Sequence, residues 1–103
     1  MITEKMILEC YDAFRSENLE FVPEGMNETS AKMTMIWLNC MLKTRKCFNR
    51  SGSKMQYRVI LERIRQDYDI KTAEEAALSQ MDYCVRYNRK AHIEILQQYI
   101  NSK

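Results

Sequence analysis

The feature that most limits how this chain can fold is how rarely it is interrupted. Gly25, Gly52 and Pro23 are the only residues of their kinds in 103 positions. A sandwich or barrel needs a turn signal every ~8–12 residues, so an all-β fold is excluded. What lies between the few breaks is rich in Met, Glu, Lys, Arg, Gln and Leu, all good helix formers. About 100 residues suits one domain, here spanning 1–103. The expected architecture is all-α: a compact bundle of four helices, five if the last breaks near Asn88, around a central hydrophobic helix.

Periodicity places the helices. The first runs from about Thr3 to Glu17, with Ile7, Cys10, Tyr11 and Phe14 forming one apolar stripe. Pro23 and Gly25 then mark a turn, and Leu19, Phe21 and Val22 are expected to pack this loop onto the core. The second helix starts between Asn27 and Ser30 and runs to about Phe48. Between Ala31 and Leu42 only Lys32, Thr34 and Asn39 are polar, so its apolar residues point all round. Such a helix is either the buried centre of the bundle or has one side against a partner. On the second reading Met33, Trp37 and Met41 form a hydrophobic interface, with another protein or a second copy of the chain (a homodimer) as occupant.

Asn49 to Gly52 reads as a loop, and Ser53 with Gln56 has the spacing of a capping box opening the third helix. Tyr57, Ile60, Leu61, Ile64 and Tyr68 give its stripe. Thr72 with Glu75 is read as a second capping box. The last segment then runs from Ala73 to about Ile100, with Ala77, Leu78, Met81, Cys84, Val85, Ala91, Ile95, Leu96 and Tyr99 on one face. At ~28 residues it is long for a globular helix, and Asn88 is the candidate break.

The net charge is only +2, but it is unevenly distributed. Residues 1–28 carry seven acids and two bases, whereas residues 43–65 carry eight bases and one acid, Glu62. Lys43, Arg45, Lys46, Arg50, Lys54 and Arg58 gather about a loop. There Ser51 and Ser53 precede a helix N-terminus, whose free amides bind anions. These eight residues are the candidate site for an anionic partner, either an acidic protein surface or nucleic acid. The competing reading pairs the block with the chain's own acidic first helix. A helix-turn-helix reading of the third and fourth helices fails on charge, because the would-be recognition helix opens with Glu74 and Glu75.

The cysteines, Cys10, Cys40, Cys47 and Cys84, contain no CxxC pair, so zinc-ribbon and finger patterns are absent. The start shows no basic segment followed by an apolar run, and no stretch reaches the ~18 apolar residues of a membrane span. A cytoplasmic protein with free, buried thiols is expected, with no membrane, metal or cofactor. Arg86 and His92, separated by five residues that include Asn88, resemble the active-site motif of the all-helical HEPN ribonucleases. The resemblance covers seven residues and departs from that pattern at Tyr87. The competing role for His92 is a buried pair with Asn88.

The residues therefore suggest a non-enzymatic helical binding protein, a regulator or inhibitor docking on a protein partner. Nucleic-acid-handling machinery, of the kind that small phage or mobile-element proteins engage, is included among such partners. Direct nucleic-acid binding through residues 43–65 is the second reading, and a HEPN-like ribonuclease built on Arg86 and His92 the third.

Overall fold

The computed structural model describes residues 2–46 and 52–100. Within them the chain forms five α-helices and no strand: α1 (Glu4–Arg15), α2 (Glu28–Asn39), α3 (Lys54–Asp67), α4 (Ile70–Arg86) and α5 (Lys90–Ile100). A π-helical turn, Cys40–Thr44, continues α2. The structure is an all-α bundle, and its radius of gyration of 12.6 Å is that of a compact chain of this length.

The helix ends follow local chemistry. Thr3 caps α1 through its side chain, and Asn27 caps α2 by accepting from Thr29 and Ser30. Ser53 and Gln56 form the expected capping box on α3. The start of α4 differs from expectation. Asp69 caps it, accepting from the Thr72 amide at 2.7 Å, so Thr72 lies inside the first turn. The carboxylate is the stronger cap and comes one turn earlier, so it preempts the Thr72–Glu75 box.

The long last segment does break at Asn88. Asn88 is left-handed (φ 55°), its N–H reaches the Val85 carbonyl at 3.2 Å, and the Arg89 N–H reaches that of Cys84 at 2.8 Å. That pair of bonds is a Schellman ending, and Asn tolerates the left-handed position better than most residues. Asn88 is exposed there, which removes the expected buried pair with His92. The same motif ends α1, with Glu17 at φ 63°. The second helix stops at Arg45 (φ 57°) and does not reach Phe48, because residues 43–46 are all polar and leave no apolar face to bury.

The central helix is α3, which packs against α1, α4 and α5. By contrast α2 lies against α1, and its π turn lies against α4. It shows solvent a line of Lys32, Ile36 and Lys43, so the expectation that it sits in the middle is not met. The core joins Ile7, Tyr11 and Phe14 of α1, Met35 and Leu38 of α2, Met41 of the π turn, Ile60, Leu61 and Ile64 of α3, and Leu96 of α5. On α4 the buried line is Ala73, Ala76, Ala77, Gln80 and Cys84. Small side chains let this helix approach its neighbours closely, and they turn Leu78 and Val85 outward, where both are exposed. Ala91 is exposed as well. Tyr68, expected at the end of the α3 stripe, lies outside the core beneath the Arg15 guanidinium. The first loop is held down by Pro23 and Met26, not by Leu19 and Val22, which remain exposed.

Polar groups buried at the start of α3 are matched to partners. The Tyr57 hydroxyl accepts from the Gly52 N–H at 3.1 Å and donates to Gln80 Oε1 at 3.2 Å. Gln56 Nε2 donates to Thr34 Oγ1 at 3.3 Å, and Thr34 in turn donates to the Ser30 carbonyl at 2.9 Å.

Two measurements check these assignments. Tyr57→Phe removes the acceptor of a buried N–H and is expected to cost about 1–3 kcal/mol in urea denaturation. Asp69→Ala is expected to lower the denaturation midpoint more than Thr72→Ala. The reverse order would restore Thr72 as the cap.

Candidate functional site

The basic block does not form one continuous surface. Arg45 pairs with Glu75 of α4 at 2.6 Å, and Arg65 with Glu62 at 2.6 Å. Arg63 pairs with Asp12 at 2.8 Å and Asp67 at 3.3 Å, with Arg15 also on Asp67 at 3.0 Å. Among the described residues the acidic first helix thus forms an ion pair with the block only at its far end, between Asp12 and Arg63. Lys43, Lys46, Lys54 and Arg58 are exposed and make no ion pair among the described residues. Lys43 lies 5.4 Å from the Phe14 ring centroid. Arg50 and Ser51, both candidate residues, lie outside the described residues, as does Cys47.

The amides expected to hold an anion are largely occupied. Gly52 N–H goes to Tyr57, Ser53 N–H to Gln56 Oε1 at 2.7 Å, and Gln56 N–H to Ser53 Oγ at 3.1 Å. Any attraction for an anion at this end therefore comes from side-chain charge and helix dipoles, not from an open nest of N–H groups.

The structure adds a contribution that linear charge counting does not contain. The break at Asn88 starts α5 beside α3, so His92 in the first turn of α5 meets the Tyr57 ring edge-on, with centroids 5.8 Å apart. Burial holds His92 below its ordinary 6.5, and the positive charges of Arg89 and Lys54 act in the same direction, against a hydrogen bond to the Gly52 carbonyl. Two cations, Lys54 and Arg89, thus flank the point where the N-termini of α3 and α5 meet. Arg89 was missed by reading the sequence in segments, although residues 83–103 carry a net +3.

The other candidate residues are placed as follows. Met41 is fully buried within the core, and Trp37 is 8% exposed. Met33 is half-buried. Arg86 is exposed and pairs with Asp82 at 2.9 Å, whereas His92 turns to Tyr57 and Gly52, so the two HEPN-like residues have separate partners. Cys10, Cys40 and Cys84 are buried. Burial pushes the Cys10 thiol up to about 11 and raises Cys40, so both stay protonated and unreactive near neutral pH. No three His, Cys, Asp or Glu among the described residues converge as metal ligands. No helix among them is long and apolar enough to cross a membrane. Comparison with protein-family models, with curated proteins and with solved structures gives no match to this chain.

The lowered His92 value carries a sign. The unfolded chain takes up a proton near pH 6.5 before the folded one does, so acid favours unfolding. The stabilising contribution of the neutral imidazole is complete above pH ~6.5 and is lost as the pH falls through the lower folded value. His92→Gln is expected to flatten the pH dependence of the urea midpoint as the pH falls below about 6.5. A slope equal to that of the parent chain would remove His92 as its source.

Proposed function

We propose that this chain is a non-enzymatic binding protein of the regulator or inhibitor type, which docks its basic end on an acidic protein surface. The observation supporting this reading is that His92 of α5 packs against Tyr57 of α3 where the exposed Lys54 and Arg89 both act on it with their positive charge, with Lys46 exposed as well. Fixed cations on helix termini steer an acidic partner and set its orientation. The run of bases is interrupted by the chain's own acids, with Glu75 bound to Arg45 next to Lys46 in sequence. A nucleic-acid backbone is better served by a longer uninterrupted stripe of bases. His92 as the partner of Tyr57 and Gly52 has a structural role, which supports binding over hydrolysis.

The test is the double reversal Lys46→Glu with Lys54→Glu. Lys54 opens α3, where an acid suits the helix dipole, so the fold is expected to persist. The His92 titration, followed by NMR, is expected to move upward as one of its two cations becomes an anion. In nuclease-treated extract of the source cell, the parent chain is expected to recover a protein partner that the variant does not. Recovery abolished by nuclease, with log affinity falling against log salt by ~0.7–0.9 per phosphate contacted, would replace this reading with nucleic-acid binding.

A further inference from the structure

The first loop forms a groove against α2 of about 320 Å³, with Leu19, Phe21 and Val22 on one side and Ala31 on the other. Leu19 is 52% and Val22 39% exposed, an unusual position for aliphatic residues in a loop pinned at both ends. One pin is the Schellman ending at Glu17. The other is the Pro23–Met26 turn, whose Met26 N–H reaches the Pro23 carbonyl at 3.0 Å. Gly25 there holds φ +83°, a left-handed conformation that other residues adopt only with strain. Glu20 and Glu28 line the groove with Lys32 as its one cation, and Glu17 and Glu24 stand exposed on the same loop. None of the four glutamates is ion-paired among the described residues. Two line the groove and two lie elsewhere on the loop, and they form no metal-type cluster among the described residues, so they suit a charged surface more than a metal ion.

The α4–α5 turn carries the complementary features. Val85 is 59% and Tyr87 58% exposed. Arg86, Arg89 and Lys90 surround them and are also exposed. The Tyr87 ring is held against Tyr83, centroids 4.6 Å apart, and the backbone beneath it is fixed by the ending at Asn88. We infer that the acidic groove of one copy, with Leu19 and Val22 exposed at its side, receives the basic, tyrosine-tipped α4–α5 turn of a second copy. The Tyr87 ring meets the exposed Leu19 and Val22, and four acids without ion pairs among the described residues meet a turn bearing Arg89 and Lys90. The preset shape of both halves lowers the cost of ordering them. The inference shares Arg89 with the basic end but rests on Leu19, Val22 and Tyr87, so it stands apart from the proposed function.

Sedimentation velocity on the full chain, at concentrations rising to about 1 mM, tests it. The parent chain is expected to self-associate, and added salt to weaken the association. Leu19→Ser spoils the groove and Tyr87→Ser the turn. Both residues are exposed, and each change is expected to weaken association about tenfold or more while circular dichroism stays unchanged. The decisive sample is the mixture. A Leu19→Ser chain keeps its turn and a Tyr87→Ser chain keeps its groove, so together they regain one contact and form a mixed dimer that neither forms alone. A parent chain that stays monomeric throughout overturns the inference. So does association that ignores both changes, or a mixture no better than its components. Lys46, Lys54 and Arg89 are untouched in both variants, so failure here leaves the basic-end reading standing.

Discussion

Two consecutive residues in the first turn of α3, Gln56 and Tyr57, hold this bundle in register. Gln56 caps its own helix and reaches Thr34 on α2; Tyr57 ties Gly52 to Gln80 on α4 and gives its ring to His92 on α5. Four helices are thereby referred to one turn of backbone by directional bonds. Hydrophobic burial alone does not impose such a register, because apolar contact is non-directional and tolerates sliding. Buried polar groups have the opposite property, since each is costly unless its partner is where the fold puts it. That explains why α3, whose sequence is more charged than that of α2, occupies the centre. It contributes both a continuous apolar stripe and the polar pair on which the other helices are set.

Much of this was legible in the sequence because it is local. The shortage of glycine and proline fixes the class, the stripe of Ile7, Cys10, Tyr11 and Phe14 is buried as its period requires, and the capping box at Ser53 forms as spelled. The misreadings come from competition between adjacent signals. Asp69 and Thr72 are both competent caps one turn apart, and the sequence does not say which the backbone will use. Leu78 and Val85 look like core residues by hydropathy. The helix instead buries the alanine line beside them, because tight approach to α3 and α5 contributes more contact than two larger side chains held at a distance. The all-round apolarity of α2 was visible, but its position in the bundle depended on partners far away in sequence.

The candidate site was legible only in half. Runs of Lys and Arg are obvious, but which of them are free is a tertiary property. Arg45, Arg63 and Arg65 are taken up by Glu75, Asp12, Asp67 and Glu62, so the block is divided into a scaffolded part and an available part. Arg89 joins the available part only because Asn88 turns the chain back and starts α5 beside α3. A left-handed residue, not a charge pattern, thus determines which cations stand together.

The same geometry makes the basic end respond differently to salt and to acid. Screening by salt governs the attraction of Lys54 and Arg89 for an acidic surface. His92 adds a third positive charge only below its ordinary range, because burial and those two neighbours hold it neutral above. Protonating it would strengthen the field presented to a partner. It would also place charge against the Tyr57 ring and the first turn of α3, where the helices are tied together. Acid therefore raises the attraction and loosens the scaffold through one imidazole, and a partner that binds the protonated form contributes part of the stability that the free chain loses. Near neutral pH neither effect operates, and the end of the bundle behaves as a rigid pair of cations whose spacing is set by the packing of α5 on α3.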